Sequence, residues 1–157
     1  MQYRLAVKED AKRLFNLLEE VQDLHATGRP DIFIKGASKY TIKEIENIIE
    51  NENTPVFVAI DCNNKVMGYA FCSIESAQNS NNLQPIKTLY IDDLCIDKSL
   101  RRRGEGEKLY NYVLQKAKEL DCYHLTLNVW HLNESALKFY QKLGMLPLKT
   151  TMEQIVK

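Results

Sequence analysis

Long apolar runs are missing from this chain. Nowhere in its 157 residues do some 18 apolar positions follow one another, the length a helix needs to cross a bilayer. The opening MQYRLAVKEDAKRL carries charge in every short window, which excludes the apolar heart of a signal peptide, so no membrane partner and a cytoplasmic location are expected. Net charge is missing too: 21 Lys and Arg offset 21 Asp and Glu, which removes the field of a general nucleic-acid binder. Cysteine is sparse and scattered. Cys62, Cys72, Cys95 and Cys122 form no C-x-x-C pair, so buried reduced thiols are expected and no metal or disulfide framework. Repeats and low-complexity tracts are absent, and Asn133-Glu134-Ser135 matches the glycosylation triplet only by coincidence in a chain read as not secreted.

What remains is an ordinary globular composition, 45% hydrophobic and 27% charged, of a length that supports one core, and residues 1–157 are read as a single domain. QYRLAV (2–7) reads as a strand, and residues 8–26 as a helix with Ala11, Leu14, Leu17, Leu18, Val21 and Leu24 at helical spacing. After the turn residues Gly28, Pro30 and Gly36, Ile42, Ile45, Ile48 and Ile49 mark a second helix. PVFVAID and KVMGYAFCSIE form a hairpin across CNNK, and KTLYIDDLCID follows the polar connector SAQNSNNLQP as a further strand. A helix from Gly106 to Leu120 with Leu109, Val113 and Ala117 on one face leads to YHLTLNVW, which alternates as a strand. Asn133 is placed to cap a helix over ESALKFYQKL that Gly144 ends, and KTTMEQIVK reads as a last strand. The fold class is α/β (α+β), a mixed sheet covered by helices.

One stretch carries chemistry. In RRRGEGEKL, Arg101, Arg102 and Arg103 precede Gly104 and Gly106 where a strand gives way to a helix. Unpaired N–H groups and the positive end of the helix dipole suit an anion there, phosphate above all. Glycine at 104 and 106 would let phosphate oxygens approach the backbone, and the arginines would add charge. The Lys-Ser/Thr of a P-loop and the third glycine of the dinucleotide fingerprint are both missing. A solvated basic turn is the alternative.

The flanks of this stretch resemble the GNAT superfamily of acetyl-CoA-dependent N-acetyltransferases. Arg101, Gly104 and Gly106 match its Arg/Gln-x-x-Gly-x-Gly/Ala signature, and NESALKFYQKLGM matches its second motif at Asn133, Ala136, Phe139, Tyr140, Gly144 and Met145. The resemblance implies a central twisted sheet of about six to seven mostly antiparallel strands flanked by about four helices, and acetyl-CoA as cosubstrate. It further implies that the backbone from Arg102 through Gly104, Glu105 and Gly106 to Glu107 cradles the pyrophosphate. Leu94, Cys95 and Ile96 would pair with the pantetheine arm as an added strand does, and Asn133 would lie beside that arm while also capping its helix.

Transfer from a thioester to an amine needs a neutral amine, a donor to the developing oxyanion and an acid for the thiolate. By the resemblance Tyr140 holds the acid position and contacts the cofactor, unless it is a core aromatic. Asp92 aligns with a base position usually occupied by glutamate; Asp92 or Asp93 could instead bind the charge of the amine or sit at a sheet edge. The oxyanion donor would be an N–H near Leu94, where the family strand carries a bulge. His25, Arg29, Asp31 and Phe33 would line the acceptor pocket, with Tyr90 and Trp130 as walls, though each also has an ordinary structural role. Glu105 departs from the apolar residue usual in the motif, so its carboxylate is expected either to turn inward with a raised pKa or to repel the pyrophosphate. The function implied is N-acetyl transfer to an amine-bearing small molecule, amino-acid-like compound or peptide, by a protein that could form a homodimer. A non-catalytic acyl-CoA-binding regulatory module and a phosphate or RNA-binding domain are the alternatives.

Overall fold

The apolar stretches that begin near residues 56 and 66 form the centre of a five-stranded mixed sheet in the computed structural model, which describes residues 1–76 and 81–156. Strand β1 (Gln2–Leu5) pairs antiparallel with β2 (Val56–Ile60), β2 with β3 (Val66–Ser76), and β3 with β4 (Lys87–Ile96). Strand β5 (His124–Leu127) lies parallel to β4, a pairing that requires a crossover. That crossover is helix α3 (Glu105–Glu119). Every residue of β2 is buried, so its VFVAI run is apolar without alternation, as a strand covered on both faces must be.

Two clusters make the core, one on each face of the sheet. Helices α1 (Ala11–Gly28) and α2 (Ile42–Glu50) bring Leu14, Leu17 and Ile45 against Val58, Tyr69 and Phe71. On the other face Leu109, Val113 and Ala117 of α3 meet Phe57, Ala70, Leu89 and Ile91, and helix α4 (Glu134–Lys142) adds Tyr140. Thr41 and Glu44 cap α2 reciprocally, Asn133 caps α4 through the N–H of Ala136 at 3.1 Å, and Gly144 leaves that helix at φ 88°, a conformation glycine adopts without steric cost.

The sheet has fewer strands than the six to seven expected. Residues 149–156 of the anticipated last strand form none, and no strand of the sheet pairs with them. YHLTLNVW contributes only His124–Leu127. Cys72 and Cys95 are buried as expected, but Cys62 is exposed in the turn between β2 and β3. Part of the connector after β3, residues 77–80, and Lys157 lie outside the described residues. No helix among the described residues is long and apolar enough to cross a membrane.

Candidate active site

A single extra residue organises the site. Phe71 of β3 faces Asp93 of β4 while its neighbour Cys72 faces Ile91, so Asp92 is inserted as a bulge. An inserted residue reverses which face each later side chain meets. Leu89 and Ile91 pack beneath α3, whereas Cys95 joins the α1 side and Ile96 and Leu94 return to the α3 side. Asp93 turns to the α1 side with Cys95 and accepts a hydrogen bond from the Tyr69 hydroxyl at 3.0 Å. The parallel pairing of β4 with β5 also ends here, at Ile91 and Leu127. From Asp92 to Ile96, β4 pairs with β3 alone, so its other edge is open at Leu94, Cys95 and Ile96, where an extended ligand can add as a strand does.

The chain then turns into α3. Asp97 accepts from the backbone and hydroxyl of Ser99 at 2.9 and 2.7 Å and pairs with Arg13 of α1, which fixes the exit from β4. Arg101 donates from Nε to the Ile96 carbonyl at 3.3 Å, so it clamps the turn to the strand. Arg102 and Arg103 are exposed, with no acidic side chain paired to either among the described residues. Arg102 and Gly104 take left-handed backbone at φ 64° and 77°, and α3 begins directly after with its first-turn N–H groups free of helical partners.

The two glycines serve different ends. A β-carbon at Gly104 would meet nothing within 4 Å, so the positive φ alone demands glycine there. A β-carbon at Gly106 would stand 3.4 Å from the Phe139 ring and 3.7 Å from Ile96, ordinary contact distances, so packing against α4 does not by itself demand glycine there.

Glu105 has neither of its expected environments. It accepts from the Tyr3 hydroxyl at 3.3 Å and pairs with Lys108 at 2.7 Å, and Lys108 foremost holds its carboxyl below the usual range. The same pairing pushes the Tyr3 phenol up to about 12, after burial as the larger cause. Glu105→Ile is therefore expected to lower stability by on the order of 1 kcal/mol, through loss of an acceptor and a favourable helix-terminus charge. A carboxylate with a depressed folded pKa contributes stability above its unfolded pKa and loses it as pH falls through the folded value. Urea titrations should thus show the gap between the two proteins closing below about pH 4; a variant as stable as the wild type at pH 7 refutes the assignment. Glu107 lies on the outer face, 3.9 Å from Lys142.

Tyr140 and Asp93 approach the opening from either side. Burial foremost, then the charge of Asp93, raises the Tyr140 phenol, whose ring packs on Phe139 and Tyr110 with centroids 5.0 and 6.2 Å away. Burial also raises the Asp93 carboxyl, against the opposing influence of Lys39 and Tyr69. Asp92 is turned outward and already paired, with Lys39 at 2.7 Å and the Tyr40 hydroxyl at 3.1 Å.

A cavity of about 300 Å³ lies between the end of α1 and the start of α4. His25, Arg29 and Phe33 line it with Trp130, Leu132 and Asn133. His25 stacks on Phe33 with centroids 5.2 Å apart, and Trp130 meets Phe33 edge-on at 5.3 Å. Asp31 lies outside that lining and pairs with Arg29 at 2.7 Å; Arg29 also holds Glu153 at 2.8 Å. Tyr90 is not in this wall: its hydroxyl accepts from Asn128 at 3.1 Å. Tyr69, Lys39 and Tyr40 are not singled out by the sequence, because their part depends on the bulge, and Asp93 is there either a site for the charge of the amine or a residue at a sheet edge. The adjacent carboxylates of YIDDLCI were the visible signal, since period-two burial of a strand cannot accommodate both.

The Acetyltransferase (GNAT) family model matches residues 18–145. An uncharacterized N-acetyltransferase in the pepI 3' region of Lactobacillus delbrueckii subsp. lactis is 32% identical over 89 residues, covering 57% of this chain and 50% of that protein. N-alpha-acetyltransferase 50 of Danio rerio is 34% identical over 89 residues, covering 56% and 49%. The chain thus spans about half the length of these curated relatives. Among solved structures, a mutant of the BH1408 protein from Bacillus halodurans superimposes with a TM-score of 0.94 at 27% identity, covering 100% of both chains. Aminoglycoside N-acetyltransferase AAC(6')-Iy in complex with CoA gives 0.73 at 15% identity over 99% of both, a likeness of fold.

Proposed function

The chain belongs to the GNAT acetyltransferase family, and we propose that it transfers the acetyl group of acetyl-CoA to a primary amine of a small molecule, an amino-acid-like compound or a peptide. The opening of the sheet at the Asp92 bulge carries this reading, because it sets a free strand edge, a helix N-terminus and two ionisable groups around one gap. Leu94, Cys95 and Ile96 hold the pantetheine arm by their backbone, with Asn133 beside it. The first-turn N–H groups from Gly104 to Glu107 hold the pyrophosphate, assisted by Arg102 and Arg103. Acetyl-CoA supplies the activated acyl group and leaves as the thiol.

The acceptor enters from the cavity lined by His25, Arg29, Phe33 and Trp130. Asp93 takes the proton of the amine: a carboxyl raised by burial is a stronger base than an ordinary one. Asp92 is the second candidate, and its place beside Lys39 and Tyr40 suits it better to hold the polar edge of the site. An N–H near Leu94, just past the bulge, donates to the carbonyl oxygen as it gains charge. Tyr140, kept protonated by burial, donates to the departing sulfur. The protein acts as one domain, in the cytoplasm, without a metal.

The test is binding followed by turnover. Acetyl-CoA at about 100 times its dissociation constant should stabilise the fold by roughly 2.7 kcal/mol, seen as a raised melting temperature. Release of free thiol with a panel of amines then reports transfer. A melting shift without thiol release for any amine supports the regulatory-module reading instead, and no shift at millimolar cofactor overturns both.

A further inference from the structure

The wall of the cavity at the end of α1 is largely apolar and aromatic. Phe33 lies between two rings, stacked on His25 and met edge-on by Trp130, and Leu132 and Val21 continue the lining. Trp130 and Leu132 are nonetheless 42% and 61% exposed. Apolar groups scattered singly over a surface need no explanation, but a concave cluster of them is the form a ligand pocket takes. Its volume, about 300 Å³, lies at the small end of the range for such pockets and suits one ring on a short chain. His25 also stands near enough to Asp93 to act on its charge, so the cavity lies beside the group that takes the amine proton.

Arg29 is the only lysine or arginine of the lining among the described residues. A guanidinium is the natural seat for a carboxylate on an acceptor, yet both edges on which it could grip one at two points are taken. Nε and Nη2 donate to Asp31 at 2.9 and 2.7 Å, and Nη1 and Nη2 donate to Glu153 at 3.0 and 2.8 Å. One positive charge held between two negative ones leaves this rim negative. Arg29 keeps the Asp31 carboxyl below its usual range, so Asp31 stays ionised at neutral pH. An incoming carboxylate would meet like charge and no free pair of donors, a repulsive element that discriminates by itself. A second ammonium gains little either, because both rim carboxylates already have their partner.

We propose that the acceptor is a primary amine joined to an aromatic or branched apolar group and free of any carboxylate, with the apolar group seated against Phe33, Trp130 and Leu132. Free amino acids are excluded by charge, and linear diamines by the apolar wall. The assignment rests on the acetyltransferase reading for the word acceptor, while the selectivity of the cavity is a property of its own side chains.

Trp130 is the only tryptophan of the chain, so its fluorescence, excited where tyrosine does not absorb, reports occupancy of this cavity without any turnover. Four probes are titrated: phenethylamine, phenylalaninamide, phenylalanine and putrescine. The first two are expected to saturate the signal, with phenylalanine at least about tenfold weaker than its amide, a gap that one like-charge contact readily supplies, and putrescine without effect. Asp31→Asn combined with Glu153→Gln changes two half-exposed side chains and frees the guanidinium. In that variant the affinity of phenylalanine relative to phenylalaninamide should rise by at least about tenfold. Equal binding of phenylalanine and its amide in the wild type, a preference for putrescine, a ratio unmoved by the double variant, or a Trp130 signal indifferent to all four probes would each overturn the proposal. Saturation without thiol release supports the selectivity of the cavity and counts against transfer. Thiol release with amines that leave Trp130 unchanged overturns the cavity assignment and leaves the acetyltransferase reading standing.

Discussion

Tyr140→Phe is expected to lower turnover by about 10²- to 10⁴-fold, the usual contribution of a positioned general acid, with acetyl-CoA affinity and melting temperature near wild type. The substitution removes one oxygen and keeps the ring, so the contacts with Phe139 and Tyr110 survive. What disappears is a phenol that burial and the Asp93 charge keep protonated, able to donate to a thiolate but not to deliver its proton prematurely to water. Steady-state kinetics with thiol detection, beside calorimetry with acetyl-CoA, separates the roles. Full turnover in the variant would return Tyr140 to the core, and lost cofactor affinity would make it a binding residue.

Local rules reach most of this fold. The helical spacing of leucines in α1 and α3, the apolar run of β2, and the caps at Asn133 and Gly144 are short-range patterns, and each appears where the sequence places it. The opening of the sheet was foreshadowed only through the resemblance, because a bulge is decided by the register between β3 and β4 and not by either strand alone. That register turns Asp93 inward, where it is half-buried, and leaves Asp92 outside. Glu105 illustrates the same limit. Its partners include Tyr3, brought across from β1 at the far end of the sequence, so no inspection of the arginine-glycine stretch could reveal that the carboxylate is satisfied. Of the four residues expected around an acceptor pocket, His25, Arg29 and Phe33 line one cavity and Asp31 does not. The last strand differs for the opposite reason: its own pattern is sound, but no strand of the described chain pairs with it.

Asp93→Asn is expected to lower turnover at neutral pH by about 10²- to 10⁴-fold while making the protein more stable, a combination a merely structural aspartate would not give. Asparagine keeps the oxygen that receives the Tyr69 hydroxyl, and it removes a charge that burial penalises. Because the folded pKa of Asp93 is raised, its proton is held more tightly in the native state than in the unfolded one. The associated stability is fully present below the unfolded pKa, near 3.9, and is lost as pH rises through the folded value. The wild type therefore recovers on acidification, and the advantage of the variant should shrink toward pH 4. Asp92→Asn is the control, since it breaks an outward pair with Lys39 and is expected to leave turnover within about tenfold, exposed pairs contributing little. The acidic limb of the pH–rate profile should disappear in Asp93→Asn and persist in Asp92→Asn. If instead Asp92→Asn abolishes the limb and Asp93→Asn retains it, proton transfer runs through the bulge residue, and Lys39 and Tyr40 become the groups that tune the base.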